Sequence, residues 1–210
     1  MRRAGAVVAA IAAVALAALI YLTNMTTPND QATADALPPD PAGRRAALRA
    51  ALASEGVTGA QADILIGQAI LETGNFKAPE FALALTPWNR HVGSGRYGDW
   101  NGHVCMKADS GAWTVYPDDA AALAVDPTTA REHLRCFDSL EQSVRDIKGL
   151  LLLSMYARAK KAFDAGDAAA YALGIAYGNG KEGFVGPAGT PKANNYTAGL
   201  MSQYKALGVA

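Results

Sequence analysis

One carboxylate in this chain has the surroundings that acid chemistry requires. Glu72 lies in Ile70-Leu71-Glu72-Thr73-Gly74-Asn75-Phe76, directly after Ala62, Leu65, Ile66, Ala69 and Ile70, which recur at i, i+3, i+4, i+7 and i+8. That spacing is the apolar stripe of an α-helix, with Glu72 on the shoulder of the stripe, where a helix meets a cleft. Gly74 is the expected left-handed stop, so Glu72 falls in the last helical turn. There the negative end of the helix dipole disfavours a further negative charge. Partial burial beside Leu71 and Phe76 works in the same direction and favours the protonated carboxyl. A protonated carboxyl in an apolar cleft can donate its proton to the leaving oxygen of a glycosidic bond. The plainer alternative is a solvated Glu at a helix end.

Chemistry of that kind needs a second group and a platform for the substrate. Asp99, in Tyr97-Gly98-Asp99-Trp100-Asn101-Gly102, is the first candidate for a base that activates water, with Asp109, Asp118 and Asp119 behind it. A surface turn is the commoner identity for any one of these Asp residues. Trp88, Trp100 and Trp113, with Tyr97 and Tyr116, crowd one segment. Flat aromatic rings stack on the apolar faces of sugars while neighbouring amides read hydroxyls, so Trp88, Asn89, Tyr97 and Trp100 are the candidate substrate contacts. Core filling accounts for at least half of such aromatics. Tyr196 is a third candidate at the site, as a hydrogen-bond partner of an acetamido group or of the water, or else as a packing residue.

Two segments carry a family likeness. Ile64 to Phe76, with its Gln68-Ala69-Ile70-Leu71-Glu72-Thr73-Gly74 core, resembles the helix that bears the catalytic Glu in bacterial cell-wall glucosaminidases, a lysozyme-like family that includes flagellar peptidoglycan hydrolases and autolysins. Leu134 to Asp146 resembles the same family's aromatic-x-Ser segment and its following Ser-Val/Ile-x-Asp helix start. The resemblance spans Thr58 to Leu207 and implies a mainly α, lysozyme-like helical domain with a small loop-rich or β lobe. It implies Glu72 as general acid, peptidoglycan glycan strands as partner, and no cofactor or metal. The family's Asn-Asn-x-Phe-Gly stretch survives only as Thr86-Pro87-Trp88-Asn89, and its Tyr-rich ending only loosely in Phe184 to Tyr196. Two other readings therefore stay open: a lytic transglycosylase using the same acid, and a non-catalytic module that docks an envelope machine onto peptidoglycan.

Cys105 and Cys136 form an even pair, which in an oxidising exterior predicts a disulfide. His103-x-Cys105 with His133-x-x-Cys136 has the ligand types of a structural zinc site, but in irregular spacing. His91 has no partner in the sequence. Gly93-Ser94-Gly95-Arg96-Tyr97-Gly98 fits a dinucleotide fingerprint without the strand and helix that would give it meaning. The acceptor patterns at Asn24 and Asn195 are short enough to arise by chance.

These residues must be held by a scaffold, and the pattern predicts helices. Arg44 to Ser54 is a first helix. Thr58 with Gln61 forms a capping box for a second, and Ser139 with Gln142 a box for a third that runs through the all-apolar Leu150 to Leu153 towards Phe163. Asp167 opens another, ended by Gly178 and Gly180, and Lys192 to Leu207 is the last. Between Lys77 and Arg135 only Trp113 to Tyr116 alternates like a strand. Upstream, Ala4 to Leu22 is free of charge and of proline, long enough to span a bilayer, and preceded by Arg2 and Arg3. This predicts a transmembrane anchor at residues 1–22, a Pro-, Thr- and Asp-rich linker over 23–43, and a folded domain from 44 to 210 in the periplasm. A signal peptide cleaved near Ala32, Ala34 or Ala36 is the rival for the anchor. The membrane is then a partner through residues 4–22, and an envelope or phage lysis machine is the kind of assembly such a domain would serve. Across the 210 residues, 19 Lys and Arg balance 19 Asp and Glu, so no basic surface speaks for nucleic acid.

Overall fold

The computed structural model describes residues 37–89, 100–107, 113–125, 133–180 and 183–209. The expected anchor and most of the expected linker lie outside the described residues. Among the described residues no helix is long and apolar enough to cross a membrane. The domain is mainly helical, with eight α-helices and three short strands among those residues.

Helix α1 runs Pro41–Ser54, three residues earlier than the periodicity predicts, because Asp40 caps it through a 2.8 Å bond from the Gly43 amide and Pro41 sits at a first-turn position. Helix α2, Gly59–Glu72, is the centre of the fold, with eight buried residues from Ala62 to Ile70. The expected capping box does not form. Thr58 makes no side-chain cap bond, and Gln61 instead donates to the Asp164 carbonyl at 3.5 Å.

A small sheet lobe follows the short helix α3, Pro79–Ala84. Strand β1, Val104–Lys107, lies between β2, Trp113–Tyr116, and β3, Leu134–Arg135, all antiparallel, with Cys105 opposite both Val115 and Leu134. Helix α4, Asp119–Val125, connects the strands. Cys105 and Cys136 form the disulfide, their Cα atoms 5.6 Å apart, packed against Ala84. Zinc ligation is thereby set aside for this pair, and His133 is engaged elsewhere, between Asp119 at 2.9 Å and the Met106 sulfur at 3.1 Å.

A buried ion pair joins the lobe to the helices. Arg135 on β3 donates to Asp146 on α5, Leu140–Leu151, at 2.6 Å, with both side chains fully buried. The Trp100 ring lies 4.7 Å from the Arg135 guanidinium. Burial pulls the Arg135 guanidinium below its ordinary pKa, opposed by the Asp146 charge.

Helix α5 starts as predicted, the Ser139 hydroxyl accepting from the Gln142 amide at 3.2 Å. It does not continue to Phe163. The chain breaks after Leu151, passes a 3₁₀ turn at Ser154–Tyr156 and restarts as α6, Ala157–Ala165. Leu152 is the C-cap residue of α5 and is 74% exposed. Helix α7, Ala168–Tyr177, is capped by Asp167, and α8, Pro191–Leu207, by Thr190. Glycines let these helices approach closely: a Cβ at Gly67 would stand 2.6 Å from the Tyr204 ring, and one at Gly174 would stand 2.6 Å from the Ala159 backbone nitrogen.

Candidate functional site

Glu72 is the last residue of α2, as the Gly74 signal predicts. Gly74 is left-handed (φ 57°), and so, less expectedly, are Asn75 (φ 63°) and Phe76 (φ 61°). A left-handed residue other than glycine costs about 1–2 kcal/mol, so this run persists only because its surroundings hold it. The Asn75 amide donates to the Ile70 carbonyl at 2.8 Å, closing the helix in a Schellman-type turn. The Thr73 hydroxyl donates to the Ala69 carbonyl at 2.6 Å and accepts from the Phe76 amide at 2.8 Å. Arg44 donates to the Phe76 carbonyl, and Arg45 to Asn75 Oδ1, both at 2.8 Å. The end of α2 is therefore locked from both sides of the chain.

Asn89 returns to the same helix end. Its own backbone is left-handed (φ 43°), and Nδ2 donates to the Glu72 carbonyl at 2.7 Å. That bond satisfies one of the carbonyls a helix leaves open at its C-terminus. The left-handed non-glycine residues Asn75, Phe76 and Asn89 thus surround the end of α2, a concentration of strain of the kind that accompanies functional sites.

The Glu72 side chain is half-buried, and its Oε1 accepts a 2.6 Å hydrogen bond from the Tyr196 hydroxyl of α8. Tyr196 in turn accepts from Gln68 Nε2 at 3.1 Å, and Gln68 Oε1 accepts from the Tyr171 hydroxyl of α7 at 2.7 Å. Gln68 and Tyr171 are fully buried. Three helices therefore meet in one polar chain that surfaces at a carboxylate. Phe184 stacks on the Tyr196 ring, with centroids 5.7 Å apart, and is fixed by its amide donating to the Ile175 carbonyl at 3.0 Å. Burial first, and then the charge and hydrogen bond of Glu72, push the Tyr196 phenol well above its ordinary pKa, so it remains a proton donor.

The sequence candidates divide sharply against this geometry. Glu72 and Tyr196 come together, and Asn89 reaches the Glu72 main chain. Trp88 does not offer a sugar platform: it is 1% exposed, and its indole N–H donates to the Leu65 carbonyl at 3.1 Å, so its ring is core. Trp100 is half-buried against the helical core, its indole N–H donating to the His103 carbonyl at 2.8 Å and its ring set against Arg135. Asp118 caps α4 through the Ala121 amide at 2.7 Å, and Asp119 pairs with His133, which accounts for both structurally. Asp99, Tyr97, Asp109 and His91 lie outside the described residues. Gln68, Tyr171 and Phe184 were not anticipated. The signal for Gln68 was present: a polar residue three after Leu65 and four before Glu72, on the buried side of α2.

No protein-family model matches the chain, and neither a curated protein nor a solved structure matches it. Among the described residues no group of His, Cys, Asp and Glu is arranged to hold a metal ion.

Proposed function

We propose that this domain cleaves β-1,4 glycosidic bonds in peptidoglycan, with Glu72 as the general acid, in the manner of an N-acetylglucosaminidase. The observation that carries the reading is the Glu72 carboxyl itself: half-buried at the end of a buried helix and held through Oε1 by the Tyr196 hydroxyl at 2.6 Å. Support also comes from the left-handed turn behind it, which holds the carboxylate on a rigid element rather than on a loose loop end.

In this mechanism the protonated carboxyl gives its proton to the bridging oxygen as the bond from that oxygen to the sugar's anomeric carbon breaks. Water then adds to the anomeric carbon and its released proton goes to a base, the role proposed for Asp99. That course inverts the anomeric centre and suits carboxyl groups about 6.5–9.5 Å apart; at about 5 Å the second carboxylate would instead bond to the anomeric carbon as the leaving oxygen departs, and water, deprotonated by Glu72, would then displace it with net retention. Residues 4–22 would tether the enzyme to the inner membrane, with the domain on the periplasmic side.

The test incubates purified peptidoglycan with the protein and with Glu72→Gln, then analyses the fragments. N-acetylglucosamine reducing ends from the unmodified protein, absent with Glu72→Gln, are the expected result. Anhydromuramoyl ends would assign a lytic transglycosylase instead. Binding without any cleavage would assign a docking module.

A further inference from the structure

We propose that the cleft between α1, the end of α2 and α8 binds a carboxylate of the peptide branch that peptidoglycan carries on its glycan, with Arg45 as the residue that pairs with it. This rests on the reading of the domain as a peptidoglycan enzyme and names a second part of the substrate that it holds. The cleft has a volume of about 460 Å³, within the range of small-ligand sites. Arg45, Asn75 and Gln203 give it three polar side chains, and Ile70, Leu71 and Leu207 give it apolar walls. Among the described residues that line it, Arg45 is the one charged group.

The cleft lies along one face of α8 from Glu72. Tyr196 bonds to Glu72, a Cβ at Gly199 would stand 3.0 Å from Leu71, and Gln203 lines the cleft. Those three positions of α8 recur at i, i+3 and i+7, which is one side of a helix. Gln203 is therefore two turns, about 10 Å, along α8 from the residue that holds the proposed acid. Leu71 belongs to the cleft and adjoins Glu72 in the chain. A glycan strand seated with a glycosidic bond at Glu72 would bring its branches into reach of the cleft.

Arg45 is set up to receive an anion. Its Nη2 donates to Asn75 Oδ1 at 2.8 Å, a neutral oxygen that orients the guanidinium without cancelling its charge. Nε is buried and has no hydrogen-bond partner among the described residues, so part of the cation has lost its water without a replacement. A carboxylate at Nη1 supplies the missing negative charge through a charge-assisted bond, stronger than one to a neutral oxygen. The carbonyls at the end of α2 compete little for the guanidinium. The Asn75 and Ala78 amides already donate to the Ile70 and Thr73 carbonyls, and Asn89 to that of Glu72. No aromatic ring is among the described residues that line the cleft, so it offers no platform for a sugar. Aliphatic walls and one cation fit a short peptide residue with a free carboxylate.

The test measures binding and needs no turnover. Isothermal titration calorimetry compares an N-acetylmuramoyl peptide whose carboxylates are free with the same molecule amidated, each added to the full-length protein, to Arg45→Gln and to Gln203→Glu. The free peptide is expected to bind the unmodified protein about tenfold or more tightly than the amidated one. Arg45→Gln should erase that preference. Gln203→Glu, which puts a negative charge into the cleft and leaves α1 untouched, should erase it too, and decides the matter alone should Arg45→Gln fold poorly. No binding of the free peptide, equal affinity for the two peptides in the unmodified protein, or a preference that survives either substitution overturns the proposal. The two readings fail separately. Cleavage of peptidoglycan by a protein without the peptide preference removes the cleft and leaves Glu72 standing, whereas the preference in a protein that cleaves nothing keeps the cleft and overturns the enzymatic reading.

Discussion

The Tyr196 hydroxyl donates to Glu72 Oε1 at 2.6 Å, joining two helices whose contact residues are separated by 124 positions in sequence. Because burial and the neighbouring carboxylate keep Tyr196 protonated, it can orient Glu72 but cannot serve as a base near neutrality. Replacing it by phenylalanine keeps the ring that stacks on Phe184 and removes the hydroxyl that donates to Glu72 and accepts from Gln68 Nε2. The expected outcome in a peptidoglycan digestion assay is about a tenfold slower turnover for Tyr196→Phe, against a loss of about 10²- to 10⁴-fold for Glu72→Gln, which removes the proposed acid. Equal losses in the two variants would mean that Glu72 does no more than Tyr196 does.

Tyr204 is the second perturbed phenol. It is fully buried against Gly67, and its hydroxyl has no hydrogen-bond partner among the described residues. A buried hydroxyl without a partner costs about 1–3 kcal/mol in lost solvation. Tyr204→Phe is therefore expected to raise stability at pH 7 by about 1 kcal/mol, as measured by urea unfolding. The pH dependence has a definite sign. Burial raises the folded-state pKa of Tyr204 above the unfolded value near 10, so the folded state holds the proton longer. Its contribution is complete below pH 10 and is lost as pH rises above that value, at up to about 1.4 kcal/mol per unit. In Tyr204→Phe the alkaline decline should be shallower by about one proton's share, and an unchanged slope would show that Tyr204 ionises freely in the fold.

How legible was all this in the sequence? The strongest local signals were sound. Gly74 ends α2 immediately behind Glu72, Ser139 and Asp167 cap the helices they were expected to cap, and the two cysteines pair. Signals that depend on tertiary context were not. Val104 to Lys107 shows no alternation because its first three residues are buried, and Leu134–Arg135 is too short to carry any period. The run Leu150 to Leu153 looks uniform, yet Leu150 and Leu151 are core while Leu152 faces solvent, so periodicity could not locate the break. Trp88 has the composition of a sugar platform and of a core residue alike, and only burial separates the two. At the site, Glu72 was legible because helix shoulder, stop signal and apolar neighbours coincide within a dozen residues. Its partners Gln68 and Tyr171 are 103 positions apart, and their bond depends on how α2 and α7 pack.

The disulfide ties β1 to the residue that follows β3, the two cysteines standing 31 positions apart in sequence. Closing a loop of that length removes chain entropy from the unfolded state worth roughly 3–4 kcal/mol. Reduction, or Cys105→Ala with Cys136→Ala, should lower the guanidinium unfolding free energy by about that amount. The folded lobe itself should persist, because Arg135 remains paired with Asp146 in the interior. Far-UV circular dichroism of the reduced protein is therefore expected to match that of the oxidised form. Loss of helical signal on reduction would show instead that the covalent clip, rather than the ion pair, holds the lobe to the helices.

Three interior glycines give a graded test of how rigid the helix contacts are. In an open helix each Gly→Ala change would stabilise by about 1 kcal/mol through propensity alone. At Gly174 the added methyl would stand 2.6 Å from the Ala159 nitrogen and 2.7 Å from its Cα, atoms of another helix's backbone that cannot swing aside. At Gly67 it would meet the Tyr204 ring at 2.6 Å, a flat group boxed into the core. At Gly199 the nearest atom is a Leu71 methyl at 3.0 Å, the free end of a half-buried side chain. Overpacking of a rigid contact costs about 1–3 kcal/mol or more. Gly174→Ala should therefore lose most, Gly67→Ala somewhat less, and Gly199→Ala should come out near neutral as the leucine shifts and the propensity gain offsets it. Thermal melts of the three variants decide the order. Because Leu71 adjoins Glu72, a Gly199→Ala protein that keeps its stability but cleaves peptidoglycan more slowly would show that the leucine's position is felt at the proposed acid.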